Sequence, residues 1–267
     1  MTFTSFPVRN LKFDLNETVP RFWLGGRRSV TAFFNNLSVF FPAGERFFIA
    51  AVREQRDAIK DPQLAADARA FYGQEGAHSR EHERYNQMLR AQGYPIDALE
   101  SRVEAILVHV TEKLSPIERL AVTSGLEHFT ALLAHWLLSN PQLLEGADPT
   151  LAALWRWHAA EENEHKAVAF DVFKAAGGSY FDRAFLMALA TLVFLGKVAE
   201  YQVRLMHTDG IASSAREWKQ LYDFLFTRGR LHTLIPHYFA YYKPSFEPWQ
   251  LDNRALVEQW KLDSQAA

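Results

Sequence analysis

Two Glu-x-x-His pairs, Glu75-Gly76-Ala77-His78 and Glu162-Asn163-Glu164-His165, constrain this chain more than any other feature. Each follows a lone glutamate set in an apolar stretch: Glu45 in Gly44-Glu45-Arg46-Phe47-Phe48, and Glu127 in Gly125-Leu126-Glu127-His128-Phe129. A unit of Glu then ExxH therefore occurs twice, with gaps of 30 residues (45 to 75) and 35 residues (127 to 162). Residues three apart on a helix are surface neighbours, with β-carbons about 5 to 6 Å apart, so each pair can aim a carboxylate and an imidazole at one point. Four helices around a centre would gather four carboxylates and two imidazoles, a set able to hold two iron or manganese ions. Charge agrees, since four carboxylates balance two divalent cations, whereas four buried carboxylates without metal are strongly penalised. One ExxH pair arises easily by chance in a helix-rich chain with 31 acidic residues and 10 histidines. Two such pairs, each behind a glutamate in an apolar stretch, do not.

Helix punctuation carries these motifs. Asp61-Pro62, Ser115-Pro116 and Asp148-Pro149 each put a capping residue before a proline at the first helical position, and Ser115 with Glu118 has capping-box spacing. Gly93, Asn140-Pro141 and Gly177-Gly178 mark the ends, which predicts helices near 62–91, 116–139 and 149–176. Phe41-Pro42 is expected to break the chain, with a further helix starting near Ala43. Other helices are expected at 96–114, 181–207 and 214–230, and the Tyr-, Phe- and Pro-rich stretch 236–249 reads as irregular. The run Ala184 to Gly196, thirteen apolar or small residues, is shorter than the roughly 20 needed to span a bilayer and reads as a buried core helix, with an interfacial or partner-binding helix as the alternative. The expected fold is all-α: a four-helix bundle with additional helices in a single domain over 1–267, its bundle core at about 43–176 and its C-terminal helices and tail at 180–267.

Composition narrows the chemistry. The absence of cysteine excludes iron–sulfur clusters, thiolate-ligated haem, zinc ribbons and cysteine nucleophiles. A chain of 267 residues buries enough surface to fold without a structural metal, so a metal would be functional. The opening MTFTSFPVRN lacks the pattern of a secretory signal, which makes a cytoplasmic location the expectation. A balance of 29 basic against 31 acidic residues gives no pull toward nucleic acid.

Further residues share the ligand faces. At about 100° per residue, His158, Glu162 and His165 fall within an arc of roughly 60°, as do Glu75, His78 and His82. His158 reads as a third imidazole ligand or as a core histidine bonded to a carboxylate, and His82 is the fallback ligand or a residue behind the ligands. Glu161 could replace Glu162 by pairing with His165, though with Glu164 it better fits a supporting or solvated role. Asp171, Glu81 and His128 are candidates to orient the ligand imidazoles.

The sequence resembles the bacterial proteins described as predicted metal-dependent hydrolases, which the resemblance places as distant relatives of the ferritin-like proteins. The likeness runs through Pro7-Val8-Arg9, Pro20-Arg21-Phe22-Trp23, Phe41-Pro42-Ala43-Gly44-Glu45-Arg46-Phe47-Phe48, Gln74-Glu75-Gly76-Ala77-His78, Glu127-His128-Phe129-Thr130 and Trp157-His158-Ala159-Ala160-Glu161-Glu162-Asn163-Glu164-His165. It continues to Tyr241-Tyr242-Lys243-Pro244 and Pro248-Trp249. The spacing His158-xxx-Glu162-xx-His165 is also similar to that of di-iron aminoarene N-oxygenases, where the extra histidine is a ligand. His82 stands where the radical subunit of ribonucleotide reductase carries its tyrosine, which argues against a radical of that type.

On these grounds the leading expectation is a di-iron oxidase or oxygenase. It would use O2 as co-substrate and two iron ions, with manganese as the substitute, held by Glu45, Glu75, His78, Glu127, His158, Glu162 and His165. The competing readings are a two-metal hydrolase and a non-enzymatic iron-binding protein. The partners expected are a small, partly apolar substrate and an external electron donor, with no nucleic acid and no membrane span; a homodimer is compatible with the sequence.

Overall fold

The computed structural model describes residues 5–265, and the outermost parts of the expected 1–267 domain, residues 1–4 and 266–267, lie outside the described residues. The fold is all-α, and the one β feature among the described residues is an isolated antiparallel bridge between Leu24 and Ala147. The helices are α1 (Arg28–Glu54), α2 (Pro62–Ala91), α3 (Ile96–Lys113), α4 (Pro116–Ser139), α5 (Pro149–His165), α6 (Val168–Ala175), α7 (Tyr180–Thr208), α8 (Ala215–Tyr222), α9 (Ile235–Ala240) and α10 (Arg254–Gln265). The three capped starts fall where the sequence puts them. Asp61 accepts from the Gln63 amide, Ser115 and Glu118 close a capping box, and Asp148 accepts from the Thr150 and Leu151 amides.

Pro42 does not break the chain as expected, because α1 runs straight through it. An interior proline costs about 3 kcal/mol, partly through the carbonyl it leaves unpaired one turn back. Here that carbonyl belongs to Ser38 and accepts instead from Asn86 Nδ2 at 3.2 Å, while Ser79 Oγ donates to the Pro42 carbonyl at 3.1 Å. Both donors come from α2, so only the tertiary fold carries the helix past the proline.

Three other expectations need correction. The single helix over 149–176 is two, α5 and α6, and the break falls at buried Lys166, which donates to the Leu251 carbonyl at 2.6 Å and to Asn253 Oδ1 at 2.8 Å. The helix expected over 214–230 is α8 followed by a wide π turn at Asp223–Arg228. The stretch 236–249 is not wholly irregular, since most of α9 falls in it, and beyond it stands α10, whose Lys261 reaches Glu164 at 3.2 Å.

The largest correction concerns α7. The expected buried core helix is a 29-residue helix whose most apolar stretch is only 17% buried. By length and composition alone it is long and apolar enough to cross a membrane. The extent of the helix agrees with the expected 181–207, and only the burial of its apolar run differs. Of the charges that bound the run, Arg183 is buried and donates to the Lys243 carbonyl, and Lys197 is neutralised by Glu200 at 2.8 Å.

Helices α1 and α2 pack together, α4 packs against α5, and α1 also meets α4. Two large apolar clusters and a smaller one around Phe170, Met187, Tyr241 and Phe246 fill the interior of the described residues. One large cluster is built around Trp23, Phe34, Tyr85, Trp155 and Trp157, and the other around Phe47, Phe71, Leu120, Val168 and Phe173. The buried acidic and imidazole groups lie between them: Phe71 meets the His165 ring at 5.0 Å, and Trp155 lies parallel to the His158 ring at 6.3 Å.

Candidate metal centre

Four helices deliver the seven residues singled out in the sequence. Helix α1 supplies Glu45, α2 supplies Glu75 and His78, α4 supplies Glu127, and α5 supplies His158, Glu162 and His165. All seven are buried, none more than 3% exposed. Their donor atoms fall into two groups, Glu45–His78–His158 and Glu75–Glu127–Glu162–His165, each with its atoms within 4.8 Å of one another. Glu162 belongs to the second group but borders both. Its Oε1 lies 3.0 Å from His158 Nε2, 3.5 Å from His78 Nδ1 and 3.6 Å from His165 Nε2.

Buried polar atoms are nearly always hydrogen-bonded, so exceptions need an explanation. Here both carboxylate oxygens of Glu45, Glu75 and Glu127, one oxygen of Glu162, His78 Nδ1 and His165 Nε2 have no hydrogen-bond partner. These orphaned atoms belong to residues of the two groups, and they are the hard oxygen and imidazole donors that divalent first-row metals take. The residues present therefore fit a dinuclear metal site.

The remaining imidazole nitrogens are all held by protein. His78 Nε2 donates to Glu161 Oε2 at 3.0 Å, and His165 Nδ1 donates to Gln74 Oε1 at 2.9 Å. The tautomer of His158 follows from a longer chain. Asn86 Nδ2 donates to two acceptors, the Ser38 carbonyl and Glu100, so its Oδ1 accepts from Ser38 Oγ at 2.9 Å. Ser38 Oγ must then accept from His82 Nδ1, also at 2.9 Å, which leaves His82 Nε2 to accept from His158 Nδ1 at 2.7 Å. His158 Nε2 is left with its lone pair directed at Glu162 and Glu45. His82 thus stands behind His158, with both its nitrogens occupied by protein, instead of serving as a third imidazole donor.

Arg9 ties these supports together from the N-terminal segment. Its guanidinium donates to Glu161 Oε1 at 3.0 Å and to both oxygens of Glu164 at 2.6 and 2.8 Å. Glu164 Oε2 accepts from Gln74 Nε2 at 3.0 Å. One arginine thus steadies His78 through Glu161 and His165 through Glu164 and Gln74. Groups that orient ligand imidazoles typically contribute 10–100-fold to metal affinity. Arg9→Ala is accordingly expected to weaken metal binding by about that factor, with Arg9→Lys recovering part of it, as read by competition with a chelator. Unchanged affinity in Arg9→Ala would remove the relay.

The orienting groups proposed from sequence are placed elsewhere. Glu81 accepts from the Phe13 amide and from Arg80 and Arg84, His128 donates to the His237 carbonyl, and Asp171 bonds no ligand imidazole among the described residues. Gln74 and Arg9 carry that role with Glu161. Gln74 had a legible signal, since it sits immediately before Glu75 and about one helical turn from His78. Arg9 had none, because 152 residues separate it from Glu161.

The electrostatics are those of carboxylates and imidazoles crowded together out of water. Burial, with the charges of Glu75, Glu162 and Glu127, pushes Glu45 well above the usual carboxylate range, and burial with Glu75 and Glu162 does the same to Glu127. Glu75 is raised too, by burial and then Glu162. Burial also opposes ionisation of Glu162, but the charge of His165 outweighs it and holds that carboxyl well below its ordinary value. Burial works against the His78 imidazolium, yet its hydrogen bond to Glu161 and the nearby Glu162 carboxylate prevail and raise it to about 9. His165 is raised as well, whereas burial and the neighbouring His78 charge lower His158 to about 4.

A narrow cavity of about 40 Å³ reaches His158 and Glu162 and is walled by Phe34, Leu37, Phe41, Leu133, Trp136 and other apolar groups. A larger pocket of about 290 Å³ beside Lys166 and Tyr241 includes none of the seven donor residues.

A model of the family described as "Predicted metal-dependent hydrolase" matches residues 7–252. No curated protein and no solved structure matches the chain. The family match overturns the leading expectation of a di-iron oxygenase using O2 and favours the hydrolase that stood second. The error has a physical source: carboxylates and imidazoles fix the charge and geometry of a dinuclear site, but they do not decide whether electrons are exchanged there. With nearly its whole length covered by that match, the chain belongs to the family of predicted metal-dependent hydrolases.

Proposed function

We propose that the protein is a two-metal hydrolase acting on an ester or amide with an apolar group next to the scissile carbonyl. The observation that carries the reading is the set of orphaned, fully buried donor atoms in two adjoining groups, on a chain whose family is described by metal-dependent hydrolysis. Glu45, His78 and His158 would hold one ion and Glu75, Glu127 and His165 the other, with Glu162 reaching both. Zinc, manganese or ferrous iron suits these donors, and the order of one Glu and one ExxH on each helix pair resembles that of ferritin-like carboxylate bundles. When bound, two divalent ions supply Lewis-acid polarisation of the substrate carbonyl and lower the pKa of the attacking water.

The chain's own part is positioning and exclusion. Glu161, Gln74 and His82 fix the three imidazoles, so their lone pairs face inward before substrate arrives. Glu162, kept ionised by the imidazoles around it, holds negative charge at the boundary of the two groups. Phe41 against His158 at 4.5 Å and Trp157 against His78 at 4.8 Å close the sides of the centre to bulk water. The apolar walls of the small cavity at His158 and Glu162 would favour an apolar acyl group beside the scissile carbonyl, which gives the substrate its class. Hydrolysis needs no electron donor.

The test is turnover without oxygen. Protein stripped by chelator and reloaded with Zn(II) or Mn(II) under nitrogen is expected to hydrolyse p-nitrophenyl esters or anilides, with a preference for apolar acyl groups. Activity should vanish with chelator and return with metal. If the zinc and manganese forms are inert toward every ester and amide tried, while the iron form turns over only with O2, the proposal fails.

A further inference from the structure

Helix α7 buries one edge, through Arg183, Leu186, Met187, Tyr201, Gln202, Leu205 and Met206, and leaves the opposite face open. Between Phe181 and Val203 every exposed residue is apolar or glycine. The large ones, including Phe181, Phe185, Leu192 and Leu195, are 40–79% exposed. Soluble monomers rarely present a continuous apolar patch beyond about 300–600 Å².

We infer that this face is a homodimer interface, in which α7 packs antiparallel against α7 of a second copy of the chain. The spacing is the first argument. Exposed Phe181, Phe185, Ala188, Leu192, Leu195 and Ala199 follow one another at intervals of 4, 3, 4, 3 and 4, the 3.5-residue seam of a two-stranded coiled coil. The seam is also complementary to itself. Around a two-fold axis at position 190, Phe181 of one copy falls opposite Ala199 of the other, Leu192 opposite Ala188, and Phe185 opposite Leu195. Large meets small in two of these three layers, and a two-fold axis repeats each layer, which is what an isologous interface requires.

Area supplies the second argument. The seven large exposed side chains of this face present on the order of 700 Å², close to the ~800 Å² that each partner contributes to a standard interface. Phe239 and Ile235 of α9 are also exposed, and Tyr238 of α9 meets Thr191 at 2.9 Å, so the apolar surface extends beyond the helix.

A lipid surface fits less well. Helices that lie on anionic bilayers carry unpaired Lys and Arg beside the apolar face. Here Lys197 and Arg204 are each bound to Glu200 at 2.8 Å. A span across the bilayer is opposed by the packing of α7 on α4 and α1, where Gln202 donates to the Ser29 carbonyl, and by Arg183 buried against the Lys243 carbonyl of the tail.

The experiment compares the metal-loaded full chain with Leu192→Glu by sedimentation equilibrium, using Val108→Glu, an exposed apolar site on α3, as control. Wild type and Val108→Glu should sediment at twice the 30.6 kDa chain mass. Leu192→Glu should be monomeric or have a dimer Kd raised at least about 100-fold, since each copy would bury an unpaired carboxylate near the axis. Retained metal and helical content in Leu192→Glu separates dissociation from misfolding. Direction is read by mixing two single variants, Phe181→Cys and Ala199→Cys, in this chain without cysteine. Antiparallel packing gives a disulfide between the two variants on oxidation, and neither variant alone should cross-link through its own seam position. A monomeric wild type would overturn the inference, as would flotation of monomers with phosphatidylglycerol vesicles or cross-linking within each single variant alone.

Discussion

Glu162→Ala is expected to reduce bound metal from two ions per chain to less than one and to lower hydrolytic turnover by about 10³-fold, since removing Lewis-acid stabilisation of several kcal/mol costs a decade per ~1.4 kcal/mol. The reason is position. Its Oε1 stands 3.0 Å from His158 Nε2 and 3.6 Å from His165 Nε2, so its loss opens both groups at once. Glu127→Ala removes a donor from one group only and should leave about one ion bound. The metal-free proteins should behave differently. Burial and like charge already push the Glu127 carboxyl well above its ordinary range, so deleting it removes a strained group, and the chelator-treated variant should melt no lower than wild type. Elemental analysis with calorimetry measures both quantities. Two ions retained by Glu162→Ala would refute the shared position of this carboxylate.

Metal affinity should fall at least about 100-fold between pH 8 and pH 6, one decade per pH unit for each proton displaced. The sign follows from the metal-free protonation states. His78 is raised to about 9, so it holds a proton that an incoming cation must expel, and burial with mutual repulsion moves Glu45, Glu75 and Glu127 in the same direction. Lowering the pH returns those protons and competes with the metal. His158, lowered to about 4, is already neutral and adds nothing to the slope above pH 6. Glu45→Gln should flatten the dependence by removing one exchangeable proton. Calorimetric titration in buffers of different ionisation enthalpy counts the protons released, and a pH-independent affinity would contradict these protonation states.

Much of the centre was legible in the sequence because it rests on local periodicity. The i, i+3 and i, i+4 relations of Glu75 with His78 and of His158, Glu162 and His165 hold on any helix, and the capping prolines at Pro62, Pro116 and Pro149 set where three of the helices begin. From those facts alone follow an all-α chain and seven residues that the fold brings within reach of one another. The sequence also states, in thirteen apolar or small residues from Ala184 to Gly196, that something must cover α7, without saying what.

The tertiary structure decided whatever depends on partners far along the chain. Asn86 of α2 takes up the carbonyl that Pro42 would orphan, and so makes one helix where local rules end one. Arg9 acquires its role from Glu161 and Glu164 across more than 150 residues. His82 becomes the support of His158 and not its rival, because Ser38 on α1 occupies its other nitrogen. The exposed side of α7 is fixed by which of its faces α4 and α1 bury, and hydrophobic periodicity cannot tell a core helix from one waiting for a partner. Local sequence sets the conformation and the faces of each helix, whereas the assignment of those faces to core, ligand or open surface is a property of the packed whole.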